Sequence, residues 1–143
     1  MKVVVFVKAT PNSEKGVMPS EQLLADMTRF NEELVKAGVM QGGDGLKPSA
    51  QGKRVAFAND KISVTDGPFA ETKELVAGFW IWNVKSMDDA VAWARRCPHP
   101  MPGEEGVLEI RPVYELEDFG AAVTPELAAR DEQMRKQIQS QQQ

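Results

Sequence analysis

The sequence predicts one α+β domain of the ferredoxin-like βαββαβ class, with an inserted β-hairpin and a helix appended at the end. Two strongly apolar segments rich in β-branched and aromatic residues indicate central strands. Two amphipathic segments with capping residues indicate helices, and the two kinds of segment alternate along the chain. The chain has 143 residues, which suits a single domain with one buried core.

Composition and charge narrow the class of protein. Hydrophobic residues make up 42% of the chain and charged residues 27%, which is typical of a folded globular domain and not of a disordered one. The net charge is −4 and no basic cluster stands out, so we expect no nucleic-acid partner. The longest apolar stretch, residues 75–82, is too short to cross a bilayer, so we expect no membrane partner.

Cysteine and histidine usage bears on compartment and metal binding. Cys97 is the only cysteine, so an intrachain disulfide is excluded and a reducing, cytoplasmic location is expected. Cys97 and the single histidine, His99, are too few for an all-protein zinc site, and we expect neither metal nor cofactor. The apolar run at the N-terminus is short and lacks a cleavage site, which favours a strand over a signal peptide.

The first half of the domain is predicted as strand, loop, helix and weak strand. The β-branched run at residues 3–7 indicates a buried strand, and residues 11–16 carry loop-forming residues. Ser20 is placed to cap a helix that ends at Gly38. Residues 39–46 indicate a weaker strand, whose three glycines predict bulges or a close approach of the backbone.

A hairpin is predicted next because its turn and its register agree. A two-residue turn at residues 59–60 brings apolar side chains opposite each other on one face of the hairpin: Phe57 with Ile62, and Val55 with Val64.

The second half repeats the order of strand, helix and strand. Residues 76–84 indicate the second strong strand. Ser86 is placed to cap a helix with two acidic residues in its first turn, and Pro98 ends that helix. Residues 107–114 indicate the last strand.

A further helix is predicted after the last strand. Thr124 followed by Pro125 is typical of a helix start, and residues 137–143 are expected to fray because they are polar and terminal. We therefore predict a main domain at residues 1–120, followed by an appended helix and polar tail at residues 121–143.

Both faces of the predicted sheet are apolar. In the strand at residues 76–84, Trp80 and Trp82 point to one face, whereas Phe79 and Ile81 point to the other. One face is expected to meet the helices. We expect the other to pack on the sheet of a second copy of the chain and so to form a homodimer. The alternative is that the appended helix folds back over this face.

A series of short motifs resembles one known family. The motifs are DGPFAETKE at residues 66–74, VAGFW at 76–80, DA at 89–90, CP at 97–98 and EIRPV at 109–113. In this order they resemble the DGPF subgroup of the YCII-related protein family, from the first strand to about Val113. The resemblance implies a dimeric α/β-barrel of ferredoxin-like protomers, in a family mostly without assigned function. It also implies a gene context that often includes extracytoplasmic-function sigma factors.

The chain departs from one pattern of that family. Some YCII-related members resemble enzymes with a His–Asp pair near the first helix. The predicted first helix here has no histidine, because His99 lies in a later loop. The pair is therefore not carried over, which weakens a hydrolase or dehalogenase interpretation.

The DGPF turn, residues 66–69, has two interpretations. Asp and Gly favour turn conformations, Pro fixes φ and Phe can pin the loop to the core, so its role can be purely structural. Alternatively, the turn presents Asp66, Glu71 and Lys73 to a ligand in a cleft, since loops on a rigid sheet often carry binding groups.

The last strand carries a second candidate group. Glu109 and Arg111 project from one face of that strand, and an unpaired charge is costly to bury. They form a salt bridge or an exposed edge, or Arg111 anchors a carboxylate or phosphate with its planar guanidinium. Lys8, on the Val4 side of the first strand, would add a second positive charge to such a site.

Other residues with chemical potential favour structural interpretations. Cys97 is interpreted as a buried small residue and His99 as an exposed loop residue. Trp80 and Trp82 are interpreted as core or interface residues. Residues 42–45 lack the ending of a phosphate-binding loop, although their glycines leave room for a ligand beside the sheet.

Two classes of function follow. The first is a small-molecule-binding protein or cofactor-free enzyme that acts on a small anionic or aromatic metabolite. The second is a non-catalytic dimeric interaction or regulatory module, which is supported by the absence of a convincing acid–base or nucleophile set and, more weakly, by the sigma-factor gene context that the resemblance implies. The sequence leaves open whether the protein is an enzyme.

Overall fold

The computed structural model describes residues 1–142, and Gln143 lies outside the described range. The strands are β1 (Lys2–Lys8), β2 (Met40–Gly45), β3 (Lys53–Ala58), β4 (Lys61–Asp66), β5 (Val76–Asn83) and β6 (Leu108–Pro112). The helices are α1 (Pro11–Glu14), α2 (Glu21–Lys36), α3 (Met87–Ala94) and α4 (Pro125–Gln141). Three 3₁₀ turns lie at Ser49–Gln51, Thr72–Glu74 and Leu116–Ala122. Within residues 1–142, every helix is too short or too polar to cross a membrane.

The main sheet confirms the predicted ferredoxin-like class. Its strand order is β2-β5-β1-β6, and all three pairings are antiparallel. The two strands that lead into helices, β1 and β5, lie side by side at the centre, which is the arrangement of a βαββαβ fold. Strands β3 and β4 form a separate two-stranded sheet, which is the inserted hairpin.

The core lies between this sheet and helices α2 and α3. Side chains from β1 and β5 meet α2, and Phe30 packs edge-on against Trp80 with ring centroids 5.9 Å apart. The indole Nε1–H of Trp80 donates a hydrogen bond to Asn31 Oδ1 at 2.9 Å, so its polar edge is satisfied. The buried members of this core are Val3, Val5, Phe30, Leu34, Val39, Trp80, Trp82, Val84 and Ala90.

The opposite face of the sheet is apolar but only partly buried. We call it the open face; it is formed at its centre by Val4, Phe6, Ala77, Phe79 and Ile81. In the β1–β5 ladder Val4 lies opposite Ile81 and Phe6 lies opposite Phe79. The predicted alternation is therefore confirmed: one set of side chains faces the helices and the other set faces away from them.

The hairpin has the predicted register but not a buried face. Phe57 pairs with Ile62 and Val55 with Val64, and the turn residues Asn59 and Asp60 have the positive φ angles of a two-residue turn. All four apolar side chains are exposed, and Phe57 remains 77% exposed. Periodicity predicted which residues share a face, whereas burial depends on what lies against that face.

Strand β2 shows why its glycines are needed. Its pairing with β5 is irregular between Met40 and Gly42, as the glycines predicted. A Cβ atom at Gly43 would lie 2.7 Å from the carbonyl oxygen of Phe79, so a larger residue would push the two strands apart.

Two local predictions were wrong. Residues 11–14, predicted as loop, form the one-turn helix α1. Helix α4 continues to Gln141, beyond the point at residue 137 where fraying was predicted. Two ion pairs, Asp131 with Arg135 and Glu132 with Lys136, each join residues that lie four apart and stabilise the middle of this polar helix. The part of the fraying prediction that concerns Gln143 lies outside the described residues.

The chain divides into two compact units, Met1–Pro112 and the segment from Val113 onward. The first unit contains the main sheet, the hairpin and helices α1 to α3. The second contains the 3₁₀ turn Leu116–Ala122 and helix α4, which begins at the N-cap Thr124 with Pro125 in its first turn, as predicted.

Candidate functional site

Helix α1 is a single turn built by a capping box. The Oγ1 of Thr10 accepts a hydrogen bond from the Ser13 N–H at 3.2 Å, and the Oγ of Ser13 accepts one from the Thr10 N–H at 2.9 Å. Pro11 occupies the first turn, where its missing N–H costs nothing. Thr10 is buried and its hydroxyl contacts the sulfur of Met101. This local structure fixes the position of Glu14, the last residue of the turn.

The carboxylate of Glu14 holds the 3₁₀ turn at Ser49–Gln51. The backbone N–H of Ser49 donates to Glu14 Oε1 at 3.0 Å, and the Ser49 hydroxyl donates to Glu14 Oε2. The same hydroxyl oxygen accepts a hydrogen bond from the backbone N–H of Phe69 at 3.1 Å. We call this set the Glu14–Ser49–Phe69 network. It joins α1, the 3₁₀ turn and the DGPF turn.

The DGPF turn is docked against that 3₁₀ turn. A Cβ atom at Gly67 would lie 1.7 Å from the carbonyl oxygen of Ser49, so only glycine fits. The Gly67 N–H donates to the carbonyl of Gly52 at 3.0 Å. The guanidinium of Arg54 lies over the ring of Phe69, 4.0 Å from the ring centroid. These contacts give the turn the structural role that was one of its two interpretations.

A shallow, solvent-open cleft of about 460 Å³ lies beside this network. We call it the turn cleft. Its walls are mostly apolar, and the polar side chains among them include the carboxylate of Glu14 and the hydroxyl of Ser49. The lining residues are Glu14, Leu46, Lys47, Pro48, Ser49, Gln51, Gly52, Phe69, Leu75 and Val76.

The predicted residues around the DGPF turn lie near the cleft without lining it. Asp66 forms a cross-strand ion pair with Lys53 at the base of the hairpin, and both side chains are mostly exposed. Glu71 has a left-handed backbone conformation, with φ of 49°, and precedes the 3₁₀ turn Thr72–Glu74. Glu71 and Lys73 are exposed, and neither joins an ion pair within residues 1–142.

The predicted charged group on the last strand lies elsewhere, on the open face. Arg111 and Glu109 form an ion pair at 3.6 Å, and their side chains are 69% and 44% exposed. In the ladder they lie opposite Val4 and Phe6. Lys8 ends β1 after an irregularity between Val7 and Lys8 and lies opposite Val76, so the alternation does not place it on the open face. The six predicted residues therefore fall into separate groups, and the structure brings only Glu109 and Arg111 into contact.

Sequence reasoning missed the two residues that organise the cleft. Glu14 falls in the segment that was predicted as a loop and Ser49 falls between the predicted weak strand and the hairpin, and nothing in either segment predicts that the two meet. One local signal was available for α1: Thr10, Pro11 and Ser13 have the spacing of a capping box with proline in the first turn.

Neither Cys97 nor His99 lines the turn cleft. Burial raises the pKa of the Cys97 thiol from 9.0 to about 11, so at neutral pH it carries its proton and is a poor nucleophile. His99 is exposed and its Nδ1 accepts a hydrogen bond from the Met101 N–H at 3.0 Å. Among residues 1–142 there is no group of three or more potential metal-ligating His, Cys, Asp or Glu side chains.

The comparison with protein families assigns the domain. The model of the YCII-related domain matches residues 1–117, which include the whole of the turn cleft and the open face. The chain belongs to the YCII-related family. An uncharacterized protein of Rhizobium meliloti (strain 1021) is 31% identical over 93 residues, which cover 65% of this chain and 74% of that protein.

One solved structure is similar to this YCII-related chain over most of its length. It is the 5-chloro-2-hydroxyhydroquinone dehydrochlorinase of Burkholderia phenoliruptrix AC1100, in complex with 2,5-dihydroxybenzoquinone. The similarity covers 82% of this chain and 98% of that one, with a TM-score of 0.44 and 18% identity. At this level nothing about activity passes from that enzyme to this chain, since one fold supports many activities.

The docking of Gly67 predicts a large cost for any side chain there. We expect Gly67→Ala to destabilise the domain by about 2–3 kcal/mol, because the backbone of Ser49 must move to admit a Cβ. The control is Gly45→Ala, where a Cβ would meet no atom within 4 Å. Urea unfolding of both variants measures the difference. Equal stability of the two variants would contradict the docking.

The raised pKa of the Cys97 thiol predicts slow alkylation of this residue in the folded protein. A pKa of about 11 instead of 9.0 leaves about a hundredfold less thiolate at pH 8 than an ordinary cysteine has. Because a more basic thiolate is also more nucleophilic, we expect the folded protein to react with iodoacetamide about tenfold more slowly than the protein in urea. Reaction rates measured by mass spectrometry test this. A folded-state rate equal to the rate in urea would show that the thiol is exposed and ionisable.

Proposed function

We propose that this YCII-related domain binds a small, largely apolar or aromatic metabolite in the turn cleft, as a binding protein or as a cofactor-free enzyme. The observation that carries the proposal is an apolar-walled cleft with a carboxylate fixed at its wall by two hydrogen bonds. Clefts lined by apolar side chains and a few oriented polar groups are typical of small-molecule sites.

The sequence also predicted an anionic metabolite, and the open face is the alternative site for such a ligand. In the turn cleft a carboxylate or phosphate would meet the carboxylate of Glu14 as well as the ammonium of Lys47, whereas Arg111 offers positive charge on the open face. Arg111 is already paired with Glu109 and mostly exposed, so an anion there would gain little in water. The turn cleft is therefore the better candidate, and the open face is the alternative site.

Binding to the turn cleft is tested by two variants that separate these sites. Leu46→Trp fills the cleft from a side chain that is 48% exposed, so the fold should tolerate it. Arg111→Leu removes the positive group of the open face and leaves the cleft intact. In a ligand screen by NMR or thermal shift, we expect small ring compounds to bind the wild type and Arg111→Leu equally. We expect Leu46→Trp to lose at least tenfold in affinity.

The opposite result for the two variants would indicate a ligand site on the open face. Loss of binding in Arg111→Leu, with Leu46→Trp unaffected, would place the ligand on the open face and would overturn the assignment to the cleft. Ring compounds that fail to bind the wild type at millimolar concentration would contradict the proposal itself.

A second candidate function is a dimeric interaction or regulatory module, which the open face favours. Its central side chains are apolar and only partly buried. Apolar surface of this kind often marks a protein–protein contact. We propose that the open faces of two copies pack together, as the two-sided apolar sheet led us to expect.

Light scattering coupled to size exclusion tests the dimer. We expect a species of twice the 15.8 kDa mass of one chain, and we expect Phe79→Glu on the open face to convert it to a monomer. Phe57→Glu, which places the same charge on the exposed hairpin, is the matched control and should stay dimeric. A wild type of 15.8 kDa would exclude the dimer, and a monomeric Phe57→Glu alone would move the interface to the hairpin.

A further inference from the structure

The carboxylate of Glu14 is an oriented acceptor with spare capacity. Each of its oxygens accepts one hydrogen bond from Ser49, and each carboxylate oxygen has two acceptor positions. The capping box of α1 fixes the backbone of Glu14, and Ser49 fixes its carboxylate. A ligand donor in the cleft would therefore find this acceptor already in place, without the entropic cost of ordering it.

Ser49 has the role of a positioning residue. Its hydroxyl proton is donated to Glu14, and its oxygen accepts from the Phe69 N–H. Both bonds hold Ser49 to the walls of the cleft rather than to a ligand. The carboxylate of Glu14 is therefore the acceptor that these bonds hold in place for a ligand, beside the side chains of Lys47 and Gln51 that also line the cleft.

The charges around the cleft select the kind of donor. Glu14 and Lys47 both line the cleft, so a ligand anion or a ligand cation would meet one like charge and one opposite charge there. Either ion would also have to leave water for a mostly apolar site, which is costly. A neutral hydroxyl avoids this desolvation cost and can donate to Glu14.

The apolar walls select the rest of the ligand. Phe69, Leu75 and Val76 offer apolar surface to the body of the ligand. We infer that the turn cleft recognises a neutral, hydroxyl-bearing ring compound of the phenol class, with Glu14 accepting its O–H and Ser49 positioning Glu14. This inference rests on the proposed binding function of the cleft and names the ligand class for it.

Four matched ring probes test the inference: phenol, anisole, benzoate and benzylamine. Anisole keeps the ring and the oxygen of phenol but cannot donate, and the other two carry a negative or a positive charge. Dissociation constants come from NMR titrations of the ¹⁵N-labelled full chain. We expect phenol to bind about tenfold more tightly than each other probe, since a hydrogen bond to a charged group is worth roughly that factor. The Ser49 amide, which donates to Glu14, should shift with phenol and not with anisole.

Variants of Glu14 and Ser49 test whether these residues cause the preference for phenol over anisole. We expect Glu14→Gln to weaken phenol about tenfold and to leave anisole unchanged, because only phenol uses the carboxylate. Ser49→Ala should lower the ratio of phenol to anisole affinity, and Ser49→Thr, which keeps the hydroxyl, should restore it. The matched control is Glu21→Gln in the first turn of α2, outside the cleft, which should change nothing.

The outcomes separate the inference from the proposed function. If no probe shifts any amide of the cleft, the binding function and the inference both fall. If phenol and anisole bind equally, or Glu14→Gln keeps the preference for phenol, the inference falls and the cleft remains a ligand site. Tightest binding of benzoate or benzylamine overturns the ligand class. If Glu14→Gln does not fold, the wild-type ratio of phenol to anisole and the Ser49 shift decide alone.

Discussion

The contact of Gly67 with the carbonyl of Ser49 is the constraint on which the candidate site depends. Because Gly67 has no Cβ, the backbones of the DGPF turn and of the 3₁₀ turn at Ser49–Gln51 can lie in direct contact. This approach puts the Phe69 N–H within reach of the Ser49 hydroxyl, and the Ser49 N–H within reach of Glu14. Side chains from three loops that are distant in sequence thereby become the walls of one cleft, which no single loop could form.

The sheet supplies the rigid support for this arrangement. Strands β1 and β5 are central and antiparallel, and both present buried side chains to α2. Helix α1 begins just after β1, and the DGPF turn lies shortly before β5, so both loops are anchored to neighbouring strands. The backbone N–H of Ala9 donates to the carbonyl of Leu75 at 2.9 Å, which joins these two loops directly. Loops held in this way can carry binding groups with fixed geometry.

The fold was predictable from the sequence because its determinants are local. Side-chain alternation in β5, the caps at Ser20 and Ser86, and the turn at residues 59–60 each act over a few residues and agree with one another. The exposure of Phe57 and the extension of α4 were not predictable in this way. The first depends on what lies against the hairpin, and the structure offers no contact that explains the second, since the ion pairs of α4 involve only residues 131–136.

The candidate site was less predictable because its residues meet only in three dimensions. Glu109 and Arg111 were predicted as candidate site residues because charged side chains are unusual on an apolar strand. The structure pairs them on a partly exposed face. Glu14 and Ser49 carried no such signal, since a polar residue in a loop is the ordinary case. Their importance comes from the partner that each one finds, at a separation of 35 residues.

The structural and functional interpretations of the DGPF turn are therefore not alternatives. Gly67 has a packing role and Phe69 is held by its backbone. The carboxylate of Asp66 pairs with Lys53 and does not line the cleft, so the turn offers no acid, base or nucleophile to a ligand in the cleft. Yet the same docking bonds occupy the hydroxyl of Ser49 and leave the carboxylate of Glu14 as the oriented acceptor in the cleft. Any chemistry at this site would consequently begin at Glu14, and the turn would contribute by holding the cleft open and its carboxylate in one orientation.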